Sequence, residues 1–166
     1  MNPEITPELI KSWLPGTFPG DMGIEPVEIT DEVATGRMVV DERHLHPGGF
    51  VHGGVWTAFG DSVAAWATFR ALPANHDFTT IELKLNVFRA GVLGDELICE
   101  ARPLHVGGST AVIEAKIRKD HHQTGSSSLR SEDPRMYANL IVTQFVLPGR
   151  DPRAERPAPG DYPPGD

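Results

Sequence analysis

The residues best suited to chemistry are His46, His52 and Asp61, spaced six and then nine residues apart, with Gly53-Gly54 directly behind the second histidine. From Val51 to Ala71 the chain reads VHGGVWTAFGDSVAAWATFRA, in which only His52, Asp61 and Arg70 can ionise. The glycines lead into a long run of helix formers and bulky apolar groups, and a helix that is apolar almost all round is a buried one. A carboxylate in the middle of such a helix is expensive, because an unpaired buried charge either destabilises the fold or shifts its pKa. Asp61 is therefore the residue to explain. Its neighbours on the same helix face, Thr57, Ala58, Ala64 and Ala65, are all small, so there is room beside the carboxylate. The competing reading is a structural Asp61, hydrogen-bonded to Thr57 or Ser62.

The start of that helix offers the complementary group. A helix N-terminus carries unsatisfied N–H groups and the positive end of the macrodipole. Glycine at positions 53 and 54 lets a carbonyl approach that backbone closely. An amide placed there is worth about 2–4 kcal/mol to a developing oxyanion. Gly53 and Asp61 are eight residues apart, which at 1.5 Å rise per residue is about 12 Å along one helix. A donor and a base acting on one carbonyl must lie within a few ångströms of each other, so one straight helix cannot provide both. Two antiparallel helices about a two-fold axis can, which predicts a homodimer with two equivalent shared sites.

The remaining candidates are weaker. His52 is placed with the catalytic loop and is read as bracing it. His44 and His46 form an H-x-H pair, but Phe50 and Val51 stand where a metal-binding glutamate would follow, so no metal is expected. Cys99, in the strand-like run ELICEAR, reads as a small half-buried hydrophobe, with nothing nearby to lower its pKa. His121-His122 read as solvated surface.

The elements that position these groups can be read along the chain. Thr6-Pro7-Glu8 is a helix start, with Leu9, Ile10, Trp13 and Leu14 carried to a stop at Pro15-Gly16. Phe18-Pro19-Gly20-Asp21 reads as loop. Ile24–Ile29 and Ala34–Val40 read as strands, followed by the glycine-rich loop and the long helix. Four strands come next: Thr80–Arg89, Asp95–Val106, Ser109–Lys119 and Met136–Leu147. The first alternates strictly, Ile81, Leu83, Leu85 and Val87 against Glu82, Lys84 and Asn86. The last is apolar enough to be covered on both faces. Residues 120–135 read as a long hairpin loop, and the Pro- and Gly-rich tail from 149 as disordered. The result is an α+β domain over residues 22–148, a curved antiparallel sheet wrapped round one helix, with an N-terminal arm over 1–21.

A net charge of −8 over 166 residues argues against nucleic acid or an anionic membrane as the main partner. The N-terminal residues have neither the basic start nor the apolar core of a secretory signal, and no stretch reaches the length of a membrane span. A cytoplasmic protein is the expectation.

The element HPGGFVHGGVWTAFGD, followed by TTIELKLNVFRAG, resembles the hotdog-fold acyl-CoA thioesterases of the 4-hydroxybenzoyl-CoA thioesterase superfamily, in particular the phenylacetate-pathway thioesterase-like branch. The resemblance implies that the Gly53 amide holds the thioester carbonyl and that Asp61 is general base or nucleophile. Thr79 or Thr80 would hold the attacking water or the carboxylate. His46 stands where many members carry a water-orienting Asn. Gly54 would bind substrate beside Gly53, and Arg89 and the Gly107-Gly108 bend would contact the pantetheine or phosphates. No cofactor is implied. Dimers that often pair again into tetramers are. Phe50, Trp56, Phe59, Trp66 and Phe69 are candidates to line an acyl pocket, with packing of the central helix the simpler reading for most of them. Two alternatives stand beside hydrolysis: a hydratase or dehydratase on the same fold, and a non-catalytic acyl-CoA-binding module.

Overall fold

Thr6 opens the first helix, α1 (Pro7–Trp13), by accepting the Leu9 N–H at 3.2 Å, with Pro7 in the first turn where its missing N–H costs nothing. Ile10 on this helix is fully buried. The computed structural model describes residues 1–120 and 136–149. The segment read as loop at Phe18–Asp21 is a one-turn helix, α2, closed by Asp21 N–H to Thr17 O at 2.9 Å and Met22 N–H to Phe18 O at 3.0 Å. Pro19 sits in its first turn, the helical position that tolerates proline.

Strands β1 (Glu25–Ile29), β2 (Ala34–Val39), β3 (His76–Val87), β4 (Glu96–Val106), β5 (Thr110–Lys119) and β6 (Met136–Pro148) form one antiparallel sheet in the order β1-β2-β4-β5-β6-β3. Helix α3 (Gly53–Ala71) lies against this sheet and contacts all six strands. Trp56, Phe59 and Val63 of the helix pack into a buried cluster with Leu97, Ile113, Ile117, Leu140 and Val142 of the sheet. Gly60 permits the approach, because a Cβ there would lie 2.5 Å from Leu140 Cδ2. Cys99 is buried in the same cluster, and burial pushes its thiol pKa up, as an inert core residue requires.

The sheet departs from the sequence reading in three ways. Strand β3 begins at His76, so the break at Pro73 ends before it, and it stops at Val87. Its alternation is interrupted: Thr80 pairs with Gln144 and Glu82 with Thr143, which leaves Ile81 as a bulged residue, 58% exposed. Strand β6 is buried on its helix-facing side only, its other residues being half-exposed. Helix α3 is likewise not covered all round, since Thr57, Ala58, Asp61, Ser62, Ala65 and Phe69 are only partly buried. Residues 121–135, including His121-His122, and the tail from 150 lie outside the described residues. Among the described residues no helix is long and apolar enough to cross a membrane.

Candidate active site

The loop before α3 is a short hairpin. Leu45 bridges Val51, His46 N–H reaches Phe50 O at 2.9 Å, and Gly49 N–H returns to His46 O at 2.9 Å. Gly49 takes φ +83°, which a side chain would resist. His46 is half-buried, and its Nδ1 accepts the Gly48 N–H at 2.9 Å, so in the neutral ring the proton lies on Nε2 and points away from the turn. His44, two residues earlier at the end of a 3-10 turn, is spent on structure. Its Nδ1 accepts the Asp41 N–H at 2.9 Å, and its Nε2 lies 3.0 Å from Met22 O. The H-x-H pair is thus divided between a buried brace and an available ring.

His52 is the N-cap of α3. Its backbone N–H is held by His44 O at 2.9 Å, and its Nδ1 accepts the Gly54 N–H at 2.9 Å. That bond occupies the Gly54 amide, so Gly54 has no N–H left for a substrate. The Gly53 N–H has no acceptor among the described residues, and space for a Cβ at Gly53 is open for 4 Å. Capping by His52 therefore leaves one accessible donor at the positive end of the helix dipole.

Asp61 lies two turns along. Neither of its expected structural partners holds it: Thr57 Oγ1 donates to Gly53 O at 3.2 Å and Ser62 Oγ to Ala58 O at 2.7 Å. Its partner comes from the sheet, where Thr80 Oγ1 donates to Asp61 Oδ1 at 3.0 Å. The bulge at Ile81 makes this contact possible. Strict alternation would put Thr80 on the face of Glu82 and Lys84, away from the helix. The extra residue instead puts Thr80 opposite the buried Gln144, while Thr79 pairs with the exposed Phe145. Burial raises the Asp61 pKa above the ordinary carboxylate value, and the Thr80 hydrogen bond pulls partly the other way.

Asp61 opens into a groove of about 320 Å³. Ala58, Ala65, Trp66 and Phe69 form its helix side, and Ile10, Trp13, Leu14, Phe18 and Pro19 of the N-terminal arm form the other. No signal in the sequence tied the arm to the site, because the contact joins segments some fifty residues apart. Of the aromatic residues expected to line a pocket, Trp66 and Phe69 do so. Trp56 and Phe59 are buried in the core, and Phe50 is exposed near the start of α3.

The predicted site residues thus fall at three places within one protomer. His46, His52, Gly53 and Gly54 lie at the start of α3, and Arg89 belongs with them, since Val51 N–H bonds Gly91 O at 2.9 Å just beyond it. Asp61 and Thr80 meet at mid-helix. The Gly107-Gly108 bend lies at the sheet end where β3 begins: Val146 N–H bonds Ser109 O at 2.9 Å, and Val146 pairs with Phe78.

Comparison with known proteins agrees with this architecture. Residues 48–126 match the model of the thioesterase superfamily. A Pasteurella multocida protein named as an esterase is 30% identical over 86 residues, which is 52% of this chain and 61% of that one. An esterase of Pseudomonas aeruginosa is 28% identical over 133 residues, 79% of this chain and 84% of its own length. Among solved structures, a Haemophilus influenzae thioesterase superposes with TM-score 0.74 at 21% identity, covering 86% of this chain and 91% of that one. A Streptococcus pneumoniae thioesterase-type protein solved with coenzyme A gives TM-score 0.64 at 21% identity, covering 76% and 88%. The fold is therefore the one these solved thioesterase structures share.

Proposed function

We propose that this protein hydrolyses an acyl-CoA thioester to the free acid and coenzyme A. The observation that carries this reading is Asp61, a carboxylate held by Thr80 at the edge of an apolar groove, with no cation paired to it among the described residues. Asp61 takes a proton from water as the water oxygen bonds to the thioester carbon. The carbonyl oxygen becomes an oxyanion, received by a Gly53 N–H, and collapse of the tetrahedral intermediate breaks the C–S bond to release the thiolate. Direct attack by the Asp61 carboxylate, followed by hydrolysis of the anhydride, uses the same two groups. His46 offers its Nε2–H to the water or the carbonyl in place of a carboxamide.

The two groups come from different protomers in this reading. Within one chain they are about 12 Å apart along α3, so the partner subunit's Gly53 serves each Asp61. The surface supports such pairing. Among the described residues strand β3 is an uncovered sheet edge of 12 residues, with Ile81, Val87 and the adjacent Phe88 exposed. Edges of that length and character pair with another chain unless something covers them. A second pairing of dimers gives a tetramer. Coenzyme A would then run between the two groups, its phosphates near Arg89 and its pantetheine arm near Gly107-Gly108. The Streptococcus structure with bound coenzyme A supports that choice of carrier.

The test is thiol release from a panel of acyl-CoA esters, followed with a thiol reagent. Turnover that disappears in Asp61→Asn supports the reading. A wild-type chain that binds acyl-CoA and releases no thiol would make it a binding module.

A further inference from the structure

We propose that the N-terminal arm is the outer wall of the acyl pocket, and that Phe18 and Trp13 select uncharged, apolar acyl groups longer than acetyl in the groove of about 320 Å³. The inference rests on the hydrolase reading of Asp61 for its chemistry, but the pocket itself is argued from packing.

The arm is anchored into the core. Ile5 and Ile10 are buried in the main cluster. Asn2 N–H bonds Arg70 O at 2.8 Å and Arg70 Nη1 returns to Asn2 O at 3.2 Å, which ties the arm to the end of α3. Arg43 fastens the other end by donating to Asp21 O. Between these anchors the arm crosses α3 on the flank the sheet leaves open, and Trp13 meets Phe69 edge-on at 5.6 Å between ring centroids. Phe69 is backed by Phe78 at 4.6 Å, so the aromatic wall is braced from the sheet to the arm.

The lining specifies what fits. Among the described residues Asp61 is the one ionisable side chain on it. Its two hydroxyls are already spent on backbone carbonyls, Thr17 Oγ1 to Leu14 O and Ser62 Oγ to Ala58 O, both at 2.7 Å. Among the described residues no cation lines the groove to balance a second carboxylate, so a charged acyl chain would be desolvated there without compensation. Phe18 is 64% exposed although it lines the groove, an apolar side chain at the mouth with free surface for a chain to cover.

The experiment compares kcat/KM for acetyl-, octanoyl- and succinyl-coenzyme A in the full chain, in Phe18→Ala, and in Ala65→Leu, which fills the groove from the helix side. Binding of the non-hydrolysable thioether S-octyl-coenzyme A to Asp61→Asn, with and without Ala65→Leu, is measured by calorimetry. Octanoyl should be preferred over acetyl and succinyl, and each variant should lower the octanoyl-to-acetyl ratio by about tenfold, the scale of lost contacts in a hydrophobic pocket. Thioether affinity should fall by a similar factor in the Ala65→Leu background. Octanoyl turnover with an unmoved ratio overturns the pocket and leaves the hydrolase reading intact. Thioether binding weakened by Ala65→Leu, with no ester hydrolysed, keeps the pocket and overturns the hydrolase reading. Absence of both binding and turnover overturns both.

Discussion

The two ends of the working half of α3 are built in opposite ways. At its start, the bonds that turn the loop and cap the helix are short-range: His46 to Gly48 and Gly49, and His52 to Gly54. The product is a bare Gly53 amide in open space. At mid-helix the chemistry is carried by one side chain, and everything that shapes its surroundings is long-range. Thr80 comes from the far edge of the sheet, and the groove wall comes from the N-terminal arm. An oxyanion donor can be made of backbone alone, so a local turn is enough for it. A carboxylate with a raised pKa needs water removed from around it, and only tertiary packing does that.

The sharpest way to break this contrast is to remove the acid. Asp61→Asn keeps the shape and should lower kcat by at least about a hundredfold, the lower range for loss of a general base. A variant with near wild-type turnover would sink the assignment. The same substitution should raise thermal stability at neutral pH. The folded pKa of Asp61 is raised, so the folded state holds the proton more tightly and the ionised group opposes folding above that pKa. Stability from this group therefore falls as pH rises through the folded value, and the advantage of Asn should fade as pH is lowered below it.

Mixed dimers test whether the two ends belong to different protomers. A Cβ at Gly53 meets nothing within 4 Å among the described residues, so a bulky Gly53→Leu should fold and block the donor. Random re-association of equal amounts of inactive Gly53→Leu and inactive Asp61→Asn chains gives half heterodimers, each with one intact site. Activity should recover to about a quarter of wild type on statistical grounds for a two-fold dimer. No recovery in proven heterodimers would place both groups in one chain.

Thr80→Val separates orientation from acidity. Loss of its hydrogen bond should lower kcat by about tenfold, within the range for a positioned catalytic contact. It should also shift the acid limb of the pH–rate profile upward, because the Thr80 bond lowers the Asp61 pKa against the effect of burial. A Thr79→Val control should do neither, as Thr79 lies opposite Phe145 on the other face of the strand. The smallest effect is expected at the loop. His46→Asn should retain substantial activity by restoring a donor, while His46→Ala should lose several-fold more. Equal, full activity in both would make His46 a turn residue only.

Much of this was legible in the residues themselves. The order of strands and helix, the capped arm helix, the single acid in an apolar helix and the glycine loop ahead of it are all local patterns, and local patterns survive without knowledge of the fold. The separation of Gly53 from Asp61 also follows from helical rise alone. The choice between Thr79 and Thr80 was not legible. A period of two along β3 turns Thr80 away from the helix, and only the pairing with β6, which forces out Ile81, turns it back. The arm was not legible as a wall either, since Phe18-Pro19-Gly20-Asp21 has a loop's composition and its single turn forms against the end of α1. Sequence by itself determined which groups could react, because side-chain chemistry and helix geometry are properties of short segments. Tertiary structure decided which threonine holds the acid and what walls its groove, because both depend on residues that meet only after the sheet has closed over α3.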